Sequence, residues 1–435
     1  MTLDTVLIKA SYNLHTEQEA IEEGIVKLLS DVKAGRSLQT LKGCRHITRS
    51  SYDFSKHRAP VVGHLTGSEH AALCALEQGF NIYVVGPREI GEDMRELSKD
   101  LGKPITFIPE LECDVRDHPQ AKKALSHANT QRRGYQRIFE EQPHAQVMEV
   151  AGDLVAFYNY RALATEFEAR QADFVWDLNA LDLMIEDMQR FNRNGYLTLK
   201  NSAGRVIKEV KENNVLMMNQ RSFEAAFGHA DSLYDERNGG SFIRTLIFSL
   251  INPLTQVELR DRVYAVRKLL ATYVHNTVSS KVPRGVIHAD RASKIVSDSL
   301  GCDAVIDATA RDITCCWDMD GWNNDYAFYK TFYERTWDNL EKVHPYAERI
   351  KELSSSNYRR LRTEEFASEF NAFIQRVNAY IKDPVYHHLH KGLLRPLNLH
   401  LQSTGKIETV CDVGLVEEFT EYLRNVALPT FQKHA

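Results

Sequence analysis

Ala59-Pro60-Val61-Val62-Gly63-His64-Leu65-Thr66-Gly67-Ser68-Glu69-His70, continued by AALCALEQGFNIYVVGPRE over 71–89, is the stretch on which a reading of this chain turns. Val61-Val62 is a short apolar run that reads as a buried strand. Gly63 and Gly67 bracket a tight turn, Ser68 is placed to cap a helix running to Gly79, and Asn81–Val85 follows as a second strand. Strand, glycine turn, helix and strand make the first βαβ of a Rossmann-type unit. Such a turn aims the amides of a helix N-terminus at an anion, so a phosphate-bearing ligand is expected against Gly63, His64, Leu65, Gly67 and Ser68. In the G-x-G-x-x-G frame Gly63 takes the first position, Leu65 the second and Ser68 the third. Gly86 stands where the ribose-binding acid belongs.

Working outward, the 435 residues divide into five regions. Residues 1–58 read as an N-terminal helical extension, with an amphipathic pattern from Glu17 to Ala34. Residues 59–110 hold the βαβ start and a third strand at Ile105–Ile108. Residues 111–212 read as a mostly helical insertion that closes on a hairpin, Tyr196–Leu199 answered by Arg205–Ile207 across Asn201–Gly204. Residues 213–325 return to α/β character and end in a strand at Ala304–Asp307, and 326–435 are helical. The expected class is therefore α/β: a Rossmann-type nucleotide-binding core with a large helical insertion and a helical C-terminal region.

Composition narrows the partners. A net charge of −5 supplies no broad basic field, which argues against nucleic acid. No apolar run approaches the roughly 18 residues a membrane span needs, and the first residues do not read as a signal peptide. Seven scattered cysteines with no C-x-x-C pair suit reduced thiols and a cytoplasmic setting, and delivery into another cell gives the same pattern. A small-molecule substrate is the expected partner, and the oligomeric state is open.

The order of elements resembles the FAD-binding part of aromatic-hydroxylase-type flavoprotein monooxygenases, in particular the MICAL-like branch. The resemblance rests on the Gly63 turn and its strand, on Asn213-Asn214-Val215-Leu216, on the helix opening at Gln256, and on Asp303-Ala304-Val305-Ile306-Asp307-Ala308-Thr309-Ala310-Arg311. It implies an FAD-dependent oxidoreductase or monooxygenase, with NAD(P) as the second choice of cofactor. Arg88 would then sit by the adenosine half, with Asn214, Asp307 and Arg311 lining the remaining cofactor site.

Other constellations compete. Asp318-Met319-Asp320-Gly321 resembles the D-x-D-G start of haloacid-dehalogenase-type phosphatases and, as an acidic pair, the D-x-D of metal-dependent glycosyltransferases. It motivates a transferase or phosphatase that uses Asp318 and Asp320 on a divalent metal. A non-catalytic binding protein on the same scaffold is the third reading. His387, His388, His390 and His400 form a histidine cluster without a completing carboxylate. Phe328, Tyr329, Phe332, Tyr333 and Trp337 recur at helical spacing and read as a packing face.

Overall fold

The computed structural model describes residues 3–10, 56–110, 127–180, 197–212, 215–225, 257–277, 281–309, 325–382, 411 and 413–434. The sheet begins earlier than the glycine turn. β1 (Thr5–Lys9) is a β-branched and aliphatic run whose Val6, Leu7 and Ile8 are fully buried, as a strand covered on both faces requires. The N-terminal region, expected to be helical, thus supplies an interior strand of the sheet, paired on both sides.

β2 (Pro60–Val62) and β3 (Leu65–Thr66) form a two-stranded antiparallel ribbon outside that sheet. α1 (Gly67–Glu77), β4 (Asn81–Gly86), α2 (Arg88–Leu101) and β5 (Ile105–Pro109) follow. α3 (His127–Glu141), β6 (Gln146–Ala151), α4 (Tyr160–Arg170) and β7 (Phe174–Ala180) come next. β6 and β7 belong to the main sheet, so 111–212 is not a helical insertion. The expected hairpin is present as β8 (Leu197–Lys200) and β9 (Val206–Glu212), and β10 (Val215–Asn219) continues the line of β9. α5 (Leu259–Thr277), β11 (Val286–His288), α6 (Ala289–Leu300) and β12 (Ala304–Thr309) close the α/β part.

The ten-stranded sheet runs β11-β8-β9-β7-β10-β6-β1-β4-β5, with β12 added to β7. β9 and β10 make antiparallel pairs, and the other described strands share one direction. The chain winds from β1 to β4 to β5 with α1 and α2 on one face. It then returns through α3 on the other face to β6, on the far side of β1. Right-handed crossovers dictate this change of face when the direction of winding reverses. The protein is thus a mixed α/β fold with a doubly wound parallel half, and its winding switches between β1 and β6.

The C-terminal helices pack over the α1/α2 face. They are α7 (Asp325–Thr336), a 3₁₀ turn (Trp337–Lys342), α8 (Ala347–Ser354), α9 (Asn357–Lys382), α10 (Val413–Tyr422) and α11 (Leu428–His434). Phe328, Tyr329, Phe332 and Tyr333 are buried and share one core with α1, α2 and the inner strands. The aromatic stripe is therefore a packing face. Among the described residues no helix is long and apolar enough to cross a membrane.

Candidate functional site

The Gly63 turn joins β2 to β3, not a sheet strand to a helix. Gly63 has φ +63°, and a Cβ there would stand 2.5 Å from the Trp337 ring and 2.7 Å from Ser354 Oγ. His64 N donates to Ser354 Oγ (3.2 Å), His64 O accepts from Arg362 Nη2 (2.6 Å), and His64 Nδ1 meets Thr363 Oγ1 (3.0 Å). Burial and the Arg362 guanidinium hold the His64 imidazole below its ordinary pKa. Leu65 is fully buried. At the start of α1, Thr66 and Glu69 form a capping box (Glu69 N to Thr66 Oγ1, 3.2 Å; Thr66 N to Glu69 Oε2, 2.9 Å). Ser68 Oγ donates to His57 O (2.7 Å), and Gly67 lies against Gly152 O and Asp153 Cα. The turn is packed against Trp337, Ser354 and Arg362.

Of the other residues expected at the cofactor, two fall among the described residues. Arg88 opens α2 as an exposed residue, and Asp307 lies on β12. Asn214, Arg311, Asp318, Asp320, His387, His388, His390 and His400 lie outside the described residues.

A different site follows from the topology. In open α/β sheets ligands bind outside the carboxyl ends of the strands, where the winding switches. Here that is the edge formed by the ends of β1, β4 and β6. The strands close on one another through Ala10 N to Val85 O (2.9 Å) and Gly152 N to Lys9 O (2.8 Å). Gly86 and Gly152 flank Ala10. A Cβ on Gly86 would be 3.0 Å from Ala10 O, and one on Gly152 would be 3.1 Å from Lys9 O and 3.3 Å from His57 Nδ1. Gly86 is therefore a glycine for close packing, not a vacant place for a ribose-binding acid. Asp153 lies two residues past β6 and is buried.

On the α3 face of the same edge, Lys9 Nζ (3.0 Å) and Gln131 Nε2 (2.5 Å) both donate to Glu149 Oε1. At the end of β5, Glu110 N donates to Gly86 O (2.8 Å), and Glu110 Oε2 accepts from Thr130 Oγ1 (3.3 Å). Burial pushes the Glu110 carboxyl up to about 8, against the Thr130 hydrogen bond and with help from Glu89. A raised folded-state pKa means that the folded protein holds a proton the unfolded chain has lost. Stability then falls as the pH rises from about 4.5, the ordinary value, through about 8. Glu110→Gln, which cannot ionise, is expected to melt progressively above the wild type across that window. A melting difference that stays constant from pH 5 to pH 9 would show that Glu110 does not titrate there.

Farther along the sheet, β7 and β12 pair in parallel with Asp177 opposite Asp307. Residues in register on neighbouring strands project to the same face about 4.8 Å apart, which sets two buried carboxylates side by side. Asp177 Oδ1 is 3.3 Å from Arg170 Nη1. Asp307 accepts from Ser202 N (3.1 Å), from the Ser202 hydroxyl, and from Ala308 N (2.8 Å). Asp153, just past β6, and Asp177, in the middle of β7, escape the sequence reading because 111–212 reads there as helical. The available signal is the apolar run Val147–Ala151, with Asp153 two residues beyond it, and the apolar run Phe174–Leu178, which holds Asp177.

No protein-family model and no curated protein matches this chain. Among solved structures it is similar to one from Thermus thermophilus described as a hypothetical transferase: 12% identity, TM-score 0.37, 71% of this chain and 94% of that one. It is also similar to a Bacillus anthracis structure described as a glucose-1-phosphate thymidylyltransferase in complex with sucrose: 12% identity, TM-score 0.30, covering 65% and 85%. Both are described as transferases, and neither as a flavoprotein. Scores this low carry no functional argument by themselves. Together with the packed turn at 63–68, however, these findings correct the flavin-monooxygenase resemblance and the FAD- or NAD(P)-dependent oxidoreductase reading built on it.

Proposed function

We propose that the protein is a divalent-cation-dependent transferase that takes a group from a phosphate-bearing donor, such as a nucleotide-activated sugar, at the carboxyl edge of the sheet. The observation that supports this most directly is the in-register pair Asp177 and Asp307 on β7 and β12, strands that run in the same direction as β6, which Asp153 follows by two residues. Carboxylate oxygens are the hard ligands that Mg²⁺ and Mn²⁺ prefer, and Asp318 and Asp320 follow shortly after β12 in the sequence. A cation held there would neutralise charge that builds on a departing phosphate. Asp307 is oriented for that role by Ser202 and by its own neighbouring amide.

The test is release of nucleoside diphosphate from a panel of nucleotide sugars with Mg²⁺ or Mn²⁺. Asp307→Asn keeps the side chain's size and an acceptor for Ser202, and is expected to lower turnover by at least about 100-fold. Turnover that survives chelation of the cation, or that is unchanged in both Asp177→Asn and Asp307→Asn, would overturn the proposal.

A further inference from the structure

A second constellation lies in the core, apart from the carboxylates. His70 and Cys74 stand four residues apart on one face of α1, and His344 reaches them from the segment between the 3₁₀ turn and α8. All three are buried, and their ligand atoms lie within 4.8 Å of one another. His70 Nε2 is 2.8 Å from His344 Nε2 and 3.5 Å from Cys74 Sγ.

The hydrogen-bond directions can be followed around the cluster. Tyr346 N donates to His344 Nδ1 (3.1 Å), which leaves the His344 proton on Nε2, aimed at His70. His70 Nδ1 faces Leu154 O (3.2 Å) and must carry the His70 proton, so its Nε2 is a bare lone pair. Two donors, the His344 N–H and the Cys74 S–H, therefore converge on one acceptor. Burial agrees with neutral rings: it holds His70 down to about 4, holds His344 well below its ordinary value, and pushes the Cys74 thiol up.

We propose that His70, Cys74 and His344 form a buried three-coordinate site for a soft monovalent cation, copper(I). A metal turns the crowded donors into ligands. Bonds of about 2.0–2.3 Å to two imidazole nitrogens and a thiolate need ligand atoms roughly 3.5–3.8 Å apart, so side chains shift by about an ångström or less. On binding, the Cys74 thiol releases its proton to solvent and the His344 proton moves from Nε2 to Nδ1. The Tyr346 amide gives up its acceptor in exchange. His70 already has the arrangement of a ligating histidine, with Nδ1–H on a backbone carbonyl.

Charge selects the ion. One thiolate with two neutral imidazoles offsets no more than a single positive charge, and among the described residues no carboxylate belongs to the cluster. Zinc would leave a net positive charge in a pocket walled by Phe157 and Tyr346, and would lack its usual fourth ligand. Thiolate and imidazole together suit copper(I). The site would tie α1 to the C-terminal helices.

The experiment is an anaerobic copper(I) titration of the full chain against a chromophoric chelator, with X-ray absorption at the copper edge. The expected result is one equivalent bound by one sulfur and two nitrogens. Cys74→Ser should weaken binding by at least about 100-fold, and Cys411→Ser should leave it unchanged. The His344 ring nitrogens should exchange their proton in the ¹⁵N spectrum on loading. If Cys74→Ser fails to fold, the wild type decides, because one equivalent of copper(I) should raise its melting temperature. No stoichiometric uptake, equal uptake by Cys74→Ser, or tighter binding of zinc at the same residues overturns the proposal.

Discussion

Glu69→Ala is expected to cost about 3–5 kcal/mol of folding stability, because it removes the buried carboxylate that two buried arginines share. Glu69 Oε1 accepts from Arg359 Nε (2.8 Å) and Glu69 Oε2 from Arg362 Nη2 (2.7 Å), and Glu69 and Arg359 have no exposed surface. Arg359 also reaches Asp100 (2.5 Å), and Arg362 reaches Asp93 (2.8 Å). The network joins α1 and α2 of the sheet layer to α9 of the C-terminal region, and the substitution also removes half of the capping box. Denaturant unfolding measures the loss. Arg360→Ala, which breaks an exposed pair with Glu364, should change stability by less than about 1 kcal/mol.

The sign of the pH dependence follows from the same geometry. Burial alone would raise the Glu69 carboxyl, but Arg362 and Arg359 hold it below its ordinary 4.5. A depressed carboxyl adds stability that is fully present above the unfolded value and is lost as the pH falls through the folded one. The gap between wild type and Glu69→Ala should therefore be constant above about pH 5 and narrow below 4.5. A gap that widens on acidification would contradict the assignment of the ion pair.

Gly63→Ala is expected to lose about 2–5 kcal/mol, with no ligand involved. The left-handed backbone at φ +63° costs a side chain about 1–2 kcal/mol, and driving a methyl into the Trp337 ring and Ser354 adds about 1–3. Gly102 separates the two contributions, since it has φ +61° with nothing within 4 Å of an added Cβ. Gly102→Ala should show the backbone cost alone. Equal losses at the two glycines would mean that Trp337 yields freely and that the turn is less tightly covered than its distances indicate. Trp337→Leu in the Gly63→Ala background should recover part of the loss.

Much of the local structure was legible in the residues. The helix after Gly67 needed only its apolar spacing, although its cap is Thr66 and not the expected Ser68. The strands at Asn81, Ile105 and Ala304 needed only β-branched runs, and the hairpin at 197–212 needed the Asn201–Gly204 turn. Each of these signals is contained within a few neighbouring residues. β1, β6 and β7 were missed because short apolar runs read alike as buried strands or helix faces until a partner strand is seen. The candidate site suffered most. Asp177 and Asp307 lie far apart in the sequence, and only the parallel pairing of β7 with β12 makes them neighbours.

The stretch at 59–89 therefore determined, by itself, a turn, a capped helix and a strand in an α/β chain. It could not determine which strand precedes the helix in the sheet. Long-range pairing gave that place to Thr5–Lys9, and the C-terminal helices covered the turn with Trp337, Ser354 and Arg362. A glycine turn exposed to a ligand and one sealed beneath a helix have the same local sequence, because the difference lies in residues almost three hundred positions away. Backbone propensity is local, whereas the enclosure that decides whether an amide meets phosphate or protein belongs to the tertiary fold.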